Sequence, residues 1–139
     1  MFHSMNKAIY QSIKADHGFT INSPTLNHLV RFMSELKEKE KRAFLMFMTG
    51  SPRLPYGGFL SLNPPLTVVC KSVGKHESPD QYLPSVMTCV NYLKVPNYTT
   101  YGVLSERFHK VMVNIASLII EFNLFYNYKL EGQGSFHLS

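Results

Sequence analysis

The chain has 139 residues, 45 % of them hydrophobic, and 14 Lys and Arg against 9 Asp and Glu give a formal net charge of +5. That length and apolar content suit one domain around one core and exclude a disordered chain. The positive excess is not focused; its one dense run, Lys37 to Arg42, alternates in sign and reads as a solvated helix start, so no nucleic-acid partner is expected.

In chain order, residues 3–14 are predicted to form a short helix with Ile9 and Ile13 on one side, stopped by Asp16-His17-Gly18. Ser23-Pro24 is a stronger start signal, a serine cap with proline at the first helical position. Leu26, Leu29, Val30, Met33 and Leu36 then follow helical spacing. A second helix is predicted over 38–48; its charged start gives way to Ala43-Phe44-Leu45-Met46-Phe47-Met48, whose end should be buried, and Gly50 stands at the usual stop position. Residues 50–59 read as a loop, and Gly57-Gly58 with Pro52 and Pro55 as a rigid turn that needs no ligand. Residues 63–71 read as an irregular lead into a short strand through Thr67, Val68 and Val69. Residues 72–81 read as a polar surface loop, and 90–94 as a second strand limited by Pro96. From Thr100 onward Leu104, Phe108, Val111 and Met112 mark an amphipathic helix. The fold class is therefore α/β (α+β), with short strands packed against helices.

The 2 cysteines, Cys70 and Cys89, form no CxxC pair and no disulfide framework, which suits a reducing compartment. The N-terminus lacks a continuous apolar segment of signal-peptide type. The apolar stretch 111–125 is short for a membrane span and contains Asn114, Glu121 and Asn123. A soluble intracellular protein with no membrane partner is expected. There is no HxxxH, no paired cysteine and no phosphate-binding glycine loop, so neither metal nor cofactor is expected.

Cys89 precedes the second strand, between a proline-bounded loop and the sheet. A nucleophilic thiol needs partial exposure and partial deprotonation, which such a junction offers and a strand interior does not. Cys70 reads as core filler. From spacing alone, Cys89 stays open between a small buried residue and a nucleophile. A histidine often accompanies a catalytic cysteine, but no motif places His3, His17, His28, His76, His109 or His137 beside it.

A more specific pattern spans much of the chain. A phenylalanine-rich helix with Phe47 ends in Thr49-Gly50, followed by Arg53, Pro55 and Gly57-Gly58; after a loop come Leu83-Pro84, Thr88-Cys89, Leu93, Pro96 and Tyr98. This resembles the carboxyl-terminal lobe of HECT-type ubiquitin ligases, nearest to the branch of the yeast ubiquitin-fusion-degradation ligase and the animal thyroid hormone receptor interactor twelve. The resemblance implies a small HECT C-lobe fold over 16–139, with 1–15 a remnant of the lobe boundary. It implies that Cys89 takes ubiquitin from a ubiquitin-conjugating enzyme as a thioester and passes it to lysines of protein substrates. It further implies an orienting role for Thr88 and a transfer-assisting tail residue at Phe136. The branch suggests the nucleus and/or the cytoplasm. The larger lobe that docks the conjugating enzyme is expected to be missing, and loading to be slow. A non-catalytic ubiquitin-binding or decoy fragment is the alternative, and a helix-rich interaction domain a third reading.

Removing residues 113–129 would join the last helix to the tail at the spacing the resemblance implies. The segment is rich in Asn, Ile, Phe, Tyr and Lys, and its ends can be encoded as splice donor and acceptor sequences. It is expected to be an insertion or retained in-frame intron. The rival is an extended helix with Ile115, Leu118, Ile119, Phe122 and Phe125 or Tyr126 on one face.

Overall fold

The computed structural model describes residues 2–51, 56–57 and 61–138, without the side chains of 2–6, 116, 118–120, 122–123 and 132–138. Arg53, Pro55 and Gly58 of the motif lie outside the described residues.

Helix α1 (Phe2–Ser12) is followed by strand β1 (Lys14–Asp16), then α2 (Pro24–Ser34) and α3 (Glu38–Thr49). Strands β2 (Thr67–Cys70), β3 (Ser85–Met87) and β4 (Tyr92–Val95) precede the long α4 (Tyr101–Leu138). The expected α/β class is what the chain adopts. The first helix stops two residues earlier than its spacing suggested, and Lys14–Asp16 becomes a strand instead. Ser12 Oγ donates to the Ile9 carbonyl, and the Lys14 N–H turns to the Leu66 carbonyl at 2.9 Å. A three-residue strand with Lys14 and Asp16 exposed has no hydrophobic alternation to announce it.

The sheet has the order β1-β2-β4-β3. Strands β1, β2 and β4 run parallel, and β3 pairs antiparallel with β4 through Ser85↔Lys94 and Met87↔Tyr92. Val68, Leu93 and Val95 are fully buried against the helices, while Tyr92 and Lys94 alternate onto the other face.

The helices are legible in their ends. Ser23 occupies the cap position of α2 with Pro24 behind it, although its hydroxyl accepts from Thr20 N–H at 2.9 Å rather than from the helix. The Glu40 carboxylate accepts the Lys37 N–H at 3.0 Å and closes the first turn of α3. Gly50, at φ 78, ends α3 by donating to the Met46 carbonyl at 2.9 Å. Thr100 Oγ1 accepts from Val103 N–H at 3.2 Å and starts α4.

Phe108 of α4 joins the layers, its ring lying 5.3 Å from Phe32, 6.1 Å from Phe44 and 6.5 Å from Phe47. Among the described side chains of α4, the buried face is Leu104, Phe108, Val111 and Met112. The backbone of 113–129 continues α4, and Val113, Leu124, Phe125, Tyr126 and Tyr128 are each more than half exposed. Among the described residues, no helix is long and apolar enough to cross a membrane.

Candidate active site

Strands β3 and β4 form a hairpin whose connection is Thr88-Cys89-Val90-Asn91. Thr88–Val90 is a single 3-10 turn, and Asn91 leaves it in the left-handed region at φ 54, ψ 41. Asparagine tolerates that conformation better than most residues with a side chain. The sequence reading began the strand at residue 90; the structure keeps Val90 in the turn and starts pairing at Tyr92.

Cys89 is exposed at this tip, between exposed Thr88 and half-buried Val90. Cys70, at the end of β2, is half-buried, and burial pushes its thiol pKa up. Thr88 is exposed, so it is not packed strand filler, and its carbonyl faces the Asn91 N–H at 3.5 Å. Phe136 falls in the last turns of α4 by its backbone; its side chain lies outside the described residues.

None of the described histidines hydrogen-bonds Cys89. His109 bridges the Ser105 carbonyl at 2.8 Å and the Glu40 carboxylate at 3.1 Å, joining α4 to α3. His28 packs edge-on to Tyr101, and His17 pairs with Asp16. Among the described residues, no group of three or more His, Cys, Asp or Glu could hold a metal ion.

Sequence reasoning missed two sets of residues that hold the cysteine hairpin. The first is Asn91, only 7 % exposed, whose side-chain amide donates to the Pro64 carbonyl at 2.8 Å and whose carbonyl accepts from Thr67 N–H at 3.0 Å. The second clamps the segment leading into β3. Tyr98 OH donates to the Tyr82 carbonyl at 2.6 Å, and Lys71 Nζ donates to the Leu83 carbonyl at 2.9 Å. Asp80 accepts from Thr99 N–H at 2.9 Å and from its hydroxyl at 2.6 Å. The Thr99 bonds hold the Asp80 carboxyl below its usual range, and burial pushes the Tyr98 hydroxyl well up. The available signal was the turn-favouring asparagine just before the strand 92–95; β3 itself gave none.

Two hollows open near the tip. One of about 420 Å³ is lined by Lys14, Pro64, Pro65, Thr67, Val90 and Tyr92. Another of about 570 Å³ is lined by His17, Val69, Cys70, Met87, Tyr92 and Lys94, among others. Tyr92 borders both; Val90 of the first and Met87 of the second flank the turn, and Cys89 lines neither.

The family model described as HECT-domain (ubiquitin-transferase) matches residues 6–117. The chain is 50 % identical over 131 residues to a probable ubiquitin fusion degradation protein of Schizosaccharomyces pombe, covering 94 % of this chain and 7 % of that protein. It is 44 % identical over 133 residues to the E3 ubiquitin-protein ligase TRIP12 of Danio rerio, covering 96 % of this chain and 6 % of the relative. Identity is 46 % over 99 residues to ubiquitin fusion degradation protein 4 of Saccharomyces cerevisiae, covering 71 % of this chain and 7 % of the relative. The chain thus spans between 6 % and 7 % of the length of these relatives.

Proposed function

The chain belongs to the HECT-domain family of ubiquitin transferases, and from that premise we propose that it is the ubiquitin-carrying lobe of such a ligase, with Cys89 as the residue that carries ubiquitin. The observation that supports this most is the placement of Cys89. It is exposed at the tip of a hairpin whose base is pinned by strand pairing and by a buried asparagine.

The chemistry is two acyl transfers. Cys89 Sγ, as thiolate, attacks the carbonyl carbon of a ubiquitin thioester on a conjugating enzyme. The new C–S bond to Cys89 forms, the old one breaks, and the donor sulfur leaves as thiolate, so the proton lost by Cys89 is balanced by the thiolate released. A substrate lysine amine then attacks the same carbon. An isopeptide C–N bond forms, the bond to Cys89 breaks, and the ammonium proton goes to solvent or to a general base. No oxidation or reduction occurs. A thiolate suits both steps because it attacks well and leaves well. To Thr88, the exposed neighbour of the reacting sulfur, we assign an orienting role toward the incoming carbonyl.

The test uses ubiquitin with its activating and conjugating enzymes. The expected result is an adduct removed by reductant in wild type and in Cys70→Ser, and absent in Cys89→Ala. An adduct that survives Cys89→Ala overturns the assignment. Ubiquitin binding without any adduct would favour a non-catalytic ubiquitin-binding fragment.

A further inference from the structure

We infer that Asn91 is a positioning residue for Cys89, its left-handed backbone and its side-chain bond to Pro64 holding the thiol-bearing turn at a fixed place over the segment that leads into β2. This rests on the transfer reading of Cys89. The observations that carry it are a change in burial and a mismatch of donors. Met87, Thr88 and Cys89 are exposed, and two residues on Asn91 is 7 % exposed. A buried amide costs stability unless it is paired, so its partner is informative.

That partner is the carbonyl of Pro64, at 2.8 Å from Asn91 Nδ2. Pro64 and Pro65 bring no N–H, so this pair can be hydrogen-bonded to the turn only through its carbonyls. Asn91 supplies the donor for Pro64 from its side chain, and its carbonyl accepts from Thr67 N–H at 3.0 Å. Its own N–H faces the Thr88 carbonyl at 3.5 Å and closes the turn. Among the described residues nothing hydrogen-bonds Cys89 Sγ, so the sulfur is placed by its backbone alone. The Thr88–Val90 turn also lies against α3, and Asn91 is where this stretch is hydrogen-bonded to a segment outside the hairpin. Acyl transfer needs the attacking atom about 3–3.5 Å from carbon, and a shift near 1 Å costs on the order of 100-fold.

Asn91→Gly tests this most cleanly, because glycine adopts the left-handed conformation without strain while it removes the side chain that carries the donor. Asn91→Asp keeps the shape but replaces the donor with an acceptor. In the full chain carrying Cys70→Ser, ubiquitin activated as a thioester of a small mercaptan serves as donor. We expect the saturating loading rate to fall about 10-fold in Asn91→Gly, and at least as far in Asn91→Asp. The ubiquitin concentration giving half the maximal rate should stay within about twofold, as should alkylation of Cys89 by iodoacetamide, since neither requires aligned attack. Loading of Asn91→Gly at the wild-type rate overturns the inference. So does a loss that vanishes once rates are corrected for the folded fraction from thermal unfolding. If wild type accepts no ubiquitin, the transfer reading fails, and amide exchange still decides the role of Asn91. Exchange at Cys89 and Val90 about 10-fold faster in Asn91→Gly, with Val68 and Leu93 unchanged, supports it; unchanged exchange at the turn overturns it.

Discussion

Cys70 ends β2 in register with Val95 of β4, while Cys89 stands at the tip of the β3–β4 hairpin before that strand begins. The first is half-buried and packs against the core, with its N–H donating to the His17 carbonyl at 3.1 Å. The second is exposed, and among the described residues its sulfur touches no polar partner. Two identical side chains in one small sheet are given opposite prospects by backbone placement. Burial keeps Cys70 protonated to higher pH and narrows access to it. A turn closed by Asn91 brings Cys89 to solvent while its neighbours stay anchored.

The contrast should be largest in chemical labelling. At pH 8, iodoacetamide is expected to modify Cys89 at least about tenfold faster than Cys70, read by peptide mass spectrometry. Equal rates would show that the two environments do not differ in the way their burial implies.

Gly18 offers a way to break the protection of Cys70. Its φ is +97, and a Cβ added there would stand 3.0 Å from the Cys70 Cβ. Gly18→Ala is expected to cost about 1–3 kcal/mol from strain at that conformation, read by denaturant unfolding, and to raise Cys70 labelling. A cost within about 0.5 kcal/mol would show that this contact does not hold the end of β2.

A smaller effect should appear in acid, and its Asp80 part should fall on the Cys89 side. The Thr99 bonds hold the Asp80 carboxyl below the usual carboxylate range, as the Tyr101 hydroxyl does for Glu35 and the Lys37 N–H for Glu40. A carboxyl depressed in the folded state contributes its stability in full above its unfolded pKa. That contribution is lost as pH falls through the folded value. Melting temperature should therefore decline below about pH 4.5, and Asp80→Asn should flatten part of that decline. It should also loosen the segment before β3 without changing Cys70 labelling. An unchanged pH profile in Asp80→Asn would remove Asp80 from the clamp.

Much of this arrangement was readable from residue order. Ser23-Pro24, Gly50 and the Leu104-Phe108-Val111-Met112 stripe each carry a local physical signal, and each marks the element it suggested. Strands β1 and β3 were not readable, because three residues with exposed or half-buried side chains show no periodicity and exist only through pairing with β2 and β4. The place of Cys89 at a junction allowed its exposure, but spacing alone left it open between a buried residue and a nucleophile. What holds it was not readable, because the Asn91–Pro64 bond joins residues far apart in sequence. The Tyr98–Tyr82 and Asp80–Thr99 bonds are tertiary in the same sense.

The central claim is that Cys89 carries ubiquitin between two partners, and a pulse-chase of the loaded chain tests it most directly. Ubiquitin is loaded, unreacted donor is quenched, and a lysine-containing peptide is added. The thioester, mapped to Cys89 by mass spectrometry, is expected to decline as ubiquitin–peptide isopeptide rises in equal amount. An adduct mapped to Cys70, or a Cys89 thioester that only hydrolyses and never reaches the amine, would contradict it.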